Sequence, residues 1–163
     1  MLTAARLREV LAYDPASGVF MWLKQLAGRG RVGTIAGAVT MPNGYRVVTI
    51  DKKQFRAARL AWFFTHNEWP PEMVDHINGD RADDRIANLR RATRAQNLAN
   101  AKDKAGSSRL KGVSWDKARK LWRAQIQVDC RNRFIGRYAT EEAAHAAYMV
   151  RAEELFGEFA RAA

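Results

Sequence analysis

Residues 74–80 read Val-Asp-His-Ile-Asn-Gly-Asp, and this stretch decides the fold because it joins a carboxylate directly to an imidazole. Asn88 lies twelve positions after His76, and Asn97 lies nine positions after Asn88. An adjacent aspartate and histidine can hold a metal ion and activate water side by side. One amide can then orient the imidazole, and a second can complete the metal's ligands. The window of 23 residues from Asp75 to Asn97 therefore predicts a metal-dependent hydrolytic site.

The net charge indicates what such a site would act on. The chain carries 28 lysines and arginines against 17 aspartates and glutamates, a formal net charge of +11. Residues 1–70 and 108–163 carry +6 and +4, whereas residues 71–107, which hold the candidate site, carry +1. A strongly basic chain favours a polyanion such as nucleic acid, or an anionic surface, as its partner; a basic protein without such a role is the alternative. A hydrolytic site in this setting suggests a nuclease.

Composition also restricts the class of protein. The single cysteine, Cys130, excludes an internal disulfide and a cysteine-rich zinc site, and it fits a reducing compartment. Charged side chains at Arg6, Arg8 and Glu9 interrupt the first apolar residues, so no secretory signal peptide is expected. No stretch approaches the roughly 18 apolar residues of a membrane span. We therefore expect a cytoplasmic protein with no membrane partner.

Hydrophobic patterns and turn residues before the site predict two helices, a strand and a hairpin. Residues 43–44, Asn-Gly, supply turn chemistry, and residues 70–71, Pro-Pro, end the second helix. Residues 27–34 form a basic loop that either tracks phosphates or only connects two elements. The predicted elements are a helix over about 3–13, a strand over 19–23, paired strands over 45–50 and 54–56, and a helix over about 57–66.

The site segment should contain two short strands and a helix. Because neighbours on a regular strand point to opposite faces, Asp75 and His76 can share a site only if the strand ends or bends there. Asn78 and Gly79 form a turn just beyond them. The predicted elements are strands over 73–76 and 88–92, a polar loop over 79–85, and a helix that Thr93 and Gln96 open with a capping box and that reaches about residue 101.

A second domain is expected after the site segment, because residues 101–110 have the composition of a linker. The expected division is a first domain over 1–104, a linker over 105–110 and a second domain over 111–163. The second domain should contain strands over 112–116, 122–128 and 132–138, followed by a helix from the cap at Thr140 to about residue 156. Alternation along the middle strand turns the small and aliphatic side chains of Ala124, Ile126 and Val128 toward this helix.

The residues of the site segment carry a specific resemblance. The matching positions are residues 74–80, Arg85, residues 88–90 and residues 96–97. They resemble the HNH motif of phage and intron-encoded homing endonucleases, a family with the ββα-metal fold. The resemblance implies that Asp75 and Asn97 bind one divalent metal ion, Mg²⁺ or Mn²⁺. It also implies that His76 is the general base that deprotonates the attacking water, and that Asn88 fixes the loop and orients His76.

Residues 55–62 resemble the segment that precedes the motif in these phage proteins, and two departures from the family pattern stand out. Ala58 occupies a position where a histidine is common, and if that histidine assists catalysis, its loss lowers the activity. Asp84 occupies a position where asparagine is frequent, which we interpret as a loop variation.

Three arginines and the two remaining histidines are also assigned roles. Arg59, Arg90 and Arg94 are candidate contacts with DNA; for Arg59 a surface or ion-paired role is the alternative. His66 and His145 have no neighbouring carboxylate and amide at metal spacing. We interpret His66 as structural and His145 as solvated.

The C-terminal segment carries a second resemblance. The matching positions are residues 111–113, Trp115, residues 122–126, residues 135–138, residues 140–144, Ala147 and Tyr148. They resemble the APETALA-two-type DNA-binding domain of plant ethylene-response factors, in which the open face of a three-stranded sheet enters the major groove. Arginine and glutamine are side chains that read base edges through paired hydrogen bonds. The candidate DNA contacts are Lys111, Ser114, Arg123, Gln125, Gln127, Asn132 and Phe134.

These expectations describe an α+β protein. It should have a ββα-metal HNH nuclease core with N-terminal β-hairpin and helix elements, then a small three-stranded antiparallel sheet packed on one helix. The expected reaction is metal-dependent hydrolysis of phosphodiester bonds in double-stranded DNA, and one site in a monomer predicts a nick. The alternatives are a DNA-binding protein with an inert or weak nuclease site, and a nuclease acting on RNA or damaged DNA. If phage-encoded, the protein would act in the host cell cytoplasm.

Overall fold

The structure, a computed structural model, describes residues 2–26, 30–38, 40–101, 108–128 and 131–161. Contacts within the chain form two compact units, residues 1–91 and 92–163. Residues 105–107 of the expected linker, part of the predicted basic loop and Cys130 lie outside the described residues. Among the helices that are described, none is long and apolar enough to span a membrane.

The first unit opens with a short helix and a small sheet. Helix α1 spans Ala4–Val10, and strand β1, Leu11–Asp14, follows it directly. β1 pairs with β2, Val19–Trp22, and β2 pairs on its other edge with β3, Ile35–Ala36. The predicted helix was wrong for residues 11–13, because alternate side chains of β1 enter the core and pairing with β2 outweighs local helix propensity.

A hairpin and the main helix of the first unit follow as the sequence predicted. Strand β4, Val47–Ile50, pairs antiparallel with β5, Lys53–Arg56. The two turn residues, Asp51 and Lys52, have φ of 48° and 64°, which suits a tight hairpin with right-handed strand twist. Helix α2, Ala57–His66, comes next. Its buried side chains, which form much of the core of this unit, are Ala57, Ala58, Leu60, Ala61, Trp62 and Phe63.

Two short strands carry the candidate site. Strand β6 spans Met73–His76, a 3₁₀ helix spans Ile86–Asn88, and strand β7 spans Leu89–Ala92. The strands pair, and just beyond them the Ile77 N–H donates to the Asn88 carbonyl at 2.9 Å. Both predicted strands are confirmed. The second begins one residue later than expected, because Asn88 closes the 3₁₀ turn.

The second unit contains helix α3, Arg94–Asn100, which opens with the predicted capping box. The Thr93 hydroxyl accepts from the Gln96 N–H at 3.2 Å, and the Thr93 N–H donates to the Gln96 side-chain oxygen at 2.8 Å. Within this unit α3 packs with helix α4, Glu141–Phe156, and with the 3₁₀ turn Gly157–Phe159. The sequence grouped this helix with the metal motif, whereas its contacts group it with the C-terminal unit.

A three-stranded antiparallel sheet packed on α4 makes up the rest of the second unit, as the sequence predicted. Its strands are β8, Val113–Asp116, β9, Leu121–Val128, and β10, Arg131–Tyr138, in the order β10-β9-β8. Small side chains let helix and sheet approach closely. The buried side chains between them are Val113, Ala124, Ile126, Ala144, Tyr148 and Ala152.

Candidate functional site

The carboxylate and the imidazole that the sequence singled out are both buried at the end of β6. Asp75 is 3% exposed and His76 is 4% exposed. The strand stops at this point because the chain turns through Asn78 and Gly79, where the Gly79 N–H donates to the His76 carbonyl at 2.8 Å. Ending the strand here allows two neighbouring side chains to stay buried while each meets a different partner.

The partner of the His76 imidazole is Asp84. Its Nε2 lies 3.1 Å from Asp84 Oδ1, and Asp84 is only 1% exposed. Sequence reasoning treated Asp84 as a loop variation, since a residue eight positions along a polar loop carries no signal that it returns to the imidazole. An ionised Asp84 accepts a hydrogen bond from Nε2–H, which leaves Nδ1 as the ring nitrogen able to accept a proton. The second Asp84 oxygen, Oδ2, is buried and has no hydrogen-bond partner among the described residues.

The N-terminal hairpin holds the backbone that carries Asp84. The Tyr13 hydroxyl donates to the Asp84 carbonyl at 2.8 Å, and the Ile86 N–H donates to the Pro15 carbonyl at 3.2 Å. Burial, together with the nearby Asp84 charge, raises the pKa of the Tyr13 phenol, so this hydroxyl stays a proton donor. The β1–β2 turn also brings Gly18, with φ of +72°, against the backbone of Asp84 and Arg85. These contacts make the position of Asp84 depend on residues far away in sequence.

Gly18→Ala is expected to destabilise the protein more than Gly33→Ala. Both glycines are left-handed, with φ of +72° and +78°, so alanine costs about 1–2 kcal/mol at either position. A Cβ at Gly18 would lie 2.5 Å from the backbone nitrogen of Arg85 and 2.6 Å from the backbone carbonyl carbon of Asp84, whereas a Cβ at Gly33 would have no atom within 4 Å. Relieving that overlap should cost a further ~1–3 kcal/mol. Urea unfolding of both variants checks this, and equal losses would contradict the described packing.

Asn88 locks the loop between the two strands. Its Nδ2 donates to the Asp83 carbonyl at 2.8 Å and to Asn78 Oδ1 at 3.0 Å, while its Oδ1 accepts from the Asn78 N–H at 3.0 Å. The Arg85 guanidinium binds the Asp83 carboxylate and lowers the pKa of that group to about 2. The role of fixing the loop that the resemblance implied for Asn88 is consistent with these contacts, which run to Asn78 and Asp83.

Asp75 forms an ion pair in its buried position. The Arg90 Nε donates to Asp75 Oδ2 at 3.0 Å. A carboxylate and an amide oxygen are donors of the kind that Mg²⁺ and Mn²⁺ prefer, so Asp75 and Asn97 suit such an ion chemically. A cation at Asp75 would compete with the Arg90 guanidinium. Asn97 lies in α3, half-buried, in the other compact unit.

No group of three His, Cys, Asp or Glu side chains that could hold a metal ion occurs in the part of the chain that the structure describes. A site with one carboxylate and one amide needs no such cluster, because phosphate oxygens and water fill the remaining positions around a hard cation. Taken singly, the carboxylate of Asp75 and the amide of Asn97 each have donor chemistry that suits a hard cation.

A small cleft lies beside β6, with a volume of about 70 Å³. Ala58, the position where the family often has a histidine, is one of its walls. Arg59 is partly buried here, and its guanidinium donates to the carbonyls of Glu72 at 2.6 Å and Pro70 at 3.3 Å. Burial lowers the pKa of Arg59, and the charge of nearby Arg56 lowers it further. The remaining residues lining the cleft are Tyr45, Arg56, Met73 and Val74.

In the second unit, six of the predicted DNA contacts share one face of the sheet. Residues directly opposite each other on paired strands point to the same side. The pairs are Ser114 with Arg123, Phe134 with Gln125, and Asn132 with Gln127. Phe134 is 52% exposed, and the guanidinium of Arg123 lies 5.8 Å from its ring centre. These side chains alternate with the buried Ala124 and Ile126, so the face lies opposite α4.

Other predicted residues have different surroundings. Lys111, predicted to contact DNA, is buried; its ammonium donates to the carbonyls of Leu98, Ala99 and Ala101 and so stabilises the end of α3. Arg94 is exposed as the first residue of α3.

The two remaining histidines are in structural positions. His66 stacks on Trp62 with ring centres 4.0 Å apart, and its Nδ1 lies 3.1 Å from the Trp62 carbonyl. His145, expected to be solvated, is instead half-buried, and its Nδ1 lies 3.1 Å from the Lys111 carbonyl.

Comparisons with known proteins point to one family. Residues 56–99 match the HNH endonuclease family. Protein 3.8 of Escherichia phage T7 is 39% identical over 90 residues, which cover 54% of this chain and 73% of that protein. The uncharacterized HNH endonuclease L560 of Acanthamoeba polyphaga mimivirus is 40% identical over 91 residues, which cover 53% of this chain and 44% of that protein. No solved structure matches the chain.

Proposed function

Because the chain belongs to the HNH endonuclease family, we propose that it is a metal-dependent endonuclease that nicks double-stranded DNA. The observation that carries the proposal is the buried Asp75-His76 pair at the end of β6, with His76 Nε2 held 3.1 Å from Asp84. An imidazole oriented by a carboxylate is suited to take a proton from water, and Asp75 beside it is suited to a hard cation.

His76 is the general base in this proposal. With Nε2 directed to Asp84, Nδ1 accepts a proton from the water whose oxygen attacks phosphorus. The bond from phosphorus to the 3′ oxygen breaks, and this oxygen takes a proton from solvent, which leaves 5′-phosphate and 3′-hydroxyl ends, as the family resemblance implies. Asn88 contributes by holding the loop that carries Asp84 in place.

Asp75 and Asn97 would hold the metal ion, Mg²⁺ or Mn²⁺. When bound, such an ion polarises the phosphate and can stabilise the developing charge by several kcal/mol. Since the chain supplies only two ligands, affinity for the ion should be low without DNA. Arg90 shares the Asp75 carboxylate, so a cation bound at Asp75 would leave the Arg90 guanidinium available to the phosphate backbone.

The C-terminal sheet is proposed to add DNA affinity. The exposed face of the sheet presents Arg123, Gln125, Gln127 and Phe134, while α4 covers the other face. Arginine and glutamine can read base edges, and the charge of the unit favours the phosphate backbone. The APETALA-two-type resemblance supports this arrangement. We propose that a monomer binds duplex DNA through this face.

Two observations favour a second candidate, a DNA-binding protein with weak or no cleavage. Ala58 lines the cleft at the position where a histidine is common in related phage proteins. The Arg90 guanidinium is hydrogen-bonded to one carboxylate oxygen of Asp75. Both features would slow cleavage without affecting the exposed face of the sheet.

Incubation with supercoiled plasmid separates the two candidates. With Mg²⁺ or Mn²⁺ the full chain is expected to convert plasmid to open circles before any linear DNA forms, and EDTA should stop this. DNA binding without open circles in either metal would support the second candidate. Matched duplex DNA, single-stranded DNA and RNA identify the preferred nucleic acid, and cleavage of RNA alone would overturn the assignment to DNA.

A further inference from the structure

We infer that Tyr45, Arg56 and Arg81 form a binding site for a DNA backbone phosphate next to the one attacked at His76. This inference rests on the proposed nuclease function and adds a substrate contact to it. Arg56 and Arg81 lie within residues 56–99, which match the HNH endonuclease family, whereas Tyr45 precedes that match. The sequence assigned none of the three a role in binding or catalysis.

Tyr45 holds two cationic side chains at once. The guanidinium carbon of Arg56 lies 4.3 Å from the centre of the Tyr45 ring, and that of Arg81 lies 5.1 Å from it. Contact with an aromatic ring restrains a guanidinium through its flat face and leaves the N–H groups at its edge available to an anion. Arg81 is restrained further, because its Nη1 donates to the Asn43 carbonyl at 2.9 Å.

The charge around this ring is not neutralised. Within the described residues, Arg56, Arg59 and Arg81 form no ion pair with a carboxylate, in contrast to Arg6, which is bonded to both Asp51 and Glu9. Burial lowers the pKa of Arg59, and the nearby charge of Arg56 lowers it further because the two side chains are both cationic. An anion placed between them would relieve that repulsion.

The cleft beside these side chains suits one phosphate group. Tyr45, Arg56 and Arg59 line it, and its volume of about 70 Å³ is several times the ~10–15 Å³ that a cavity needs to hold one water molecule. It therefore has room for a small anionic group. The ligand class is a phosphodiester, recognised by charge and by guanidinium N–H donors.

The location links the site to the reaction. The rings of Tyr45 and His76 have centres 5.9 Å apart. Phosphates of one strand follow each other about every 3.4 Å along the axis of duplex DNA, so an anion at Tyr45 is a close neighbour of the phosphate at His76. Holding that neighbour fixes the register of the strand without contacting its bases.

The test compares Arg56→Gln, Arg81→Gln and Tyr45→Leu with the control Arg6→Gln, which removes the same charge from an ion-paired position. Steady-state nicking and duplex binding over a range of salt concentrations are measured with the full chain. Each of the three variants at Tyr45, Arg56 and Arg81 is expected to raise KM and the Kd for duplex about 10-fold to 100-fold, with kcat nearly unchanged. Each arginine variant should also reduce the salt slope of binding by about 1. Arg6→Gln should behave as wild type.

Tyr45→Phe is the control for a loss of folding in Tyr45→Leu. It keeps the aromatic ring, so it should keep the wild-type KM and the wild-type salt slope of duplex binding. If the variants at Tyr45, Arg56 and Arg81 all match Arg6→Gln in KM and in the salt slope of binding, the proposed phosphate site is overturned while the proposed nuclease function stands. If Tyr45→Phe loses as much affinity for duplex DNA as Tyr45→Leu, the aromatic ring is not what orders the two arginines. That result overturns the proposed phosphate site. Failure of the wild-type chain to bind and nick DNA would overturn the proposed function itself.

Discussion

His76→Ala is expected to lower the rate of plasmid nicking by about 10²–10⁴-fold, the usual contribution of a general base. The loss should appear in kcat, because the imidazole acts in the chemical step and is too deeply buried, at 4% exposure, to supply much DNA affinity. Single-turnover nicking in Mg²⁺ measures the rate, and duplex binding in EDTA should match wild type.

His66→Ala is the matched control for this prediction. It removes an imidazole from the same compact unit, but one that stacks on Trp62 at the end of α2. It should nick DNA at the wild-type rate. Unchanged nicking by His76→Ala would show that another group activates the water and would remove the central assignment.

Asp84→Ala is expected to lower kcat by about 10²-fold while KM changes little. Without the carboxylate, the His76 ring loses the group that directs its Nε2, and a misplacement near 1 Å can cost about two orders of magnitude in rate. Asp84 is 1% exposed and is therefore a positioning residue that acts through the imidazole. The split between kcat and KM, measured on plasmid, separates this role from a general weakening of DNA binding.

Asp84→Asn tests the same assignment by rescue. The amide oxygen of asparagine can still accept from the Nε2–H of His76, so this variant should keep most of the wild-type rate, in agreement with the asparagine frequent at this position in related phage proteins. Asp51→Ala, which removes an exposed aspartate paired with Arg6, is the control for charge. If Asp84→Ala and Asp84→Asn lose activity equally, positioning through this hydrogen bond is not the role of Asp84. If Asp84→Ala nicks at the wild-type rate, the carboxylate has no part in the site.

Most of the local structure could be predicted from sequence. The strands and helices from residue 45 onward begin and end within about two residues of their expected limits. Their signals are local: hydrophobic alternation, turn residues such as Asn78 and Gly79, and caps such as Thr93 and Thr140. The helix predicted for residues 11–13 was wrong because their local pattern is helical, whereas a strand farther along the chain is available to pair with them. Pairing with β2 made those residues a strand.

The candidate site was predicted only in part. Asp75, His76 and Asn88 were singled out because their types and spacing are specific, and their roles are proposals. The contacts of His76 with Asp84 and of Asp75 with Arg90 join residues eight and fifteen positions apart through the end of β6, a loop and β7. Side-chain direction after an irregular loop depends on the path of the backbone, which no periodic pattern records. The buried position of Lys111 was missed for the same reason.

By itself, the sequence determined the order of the elements and the chemistry available at residues 74–97, since both are stored in residue type and spacing. Only the tertiary structure decided which of those groups meet. It placed Asp84 on His76, held that carboxylate with Tyr13 and Gly18 from the N-terminal hairpin, and brought Tyr45, Arg56 and Arg81 together beside the imidazole. The physical reason is that burial and the pairing of distant backbone segments select one set of contacts among many that the same residue types permit.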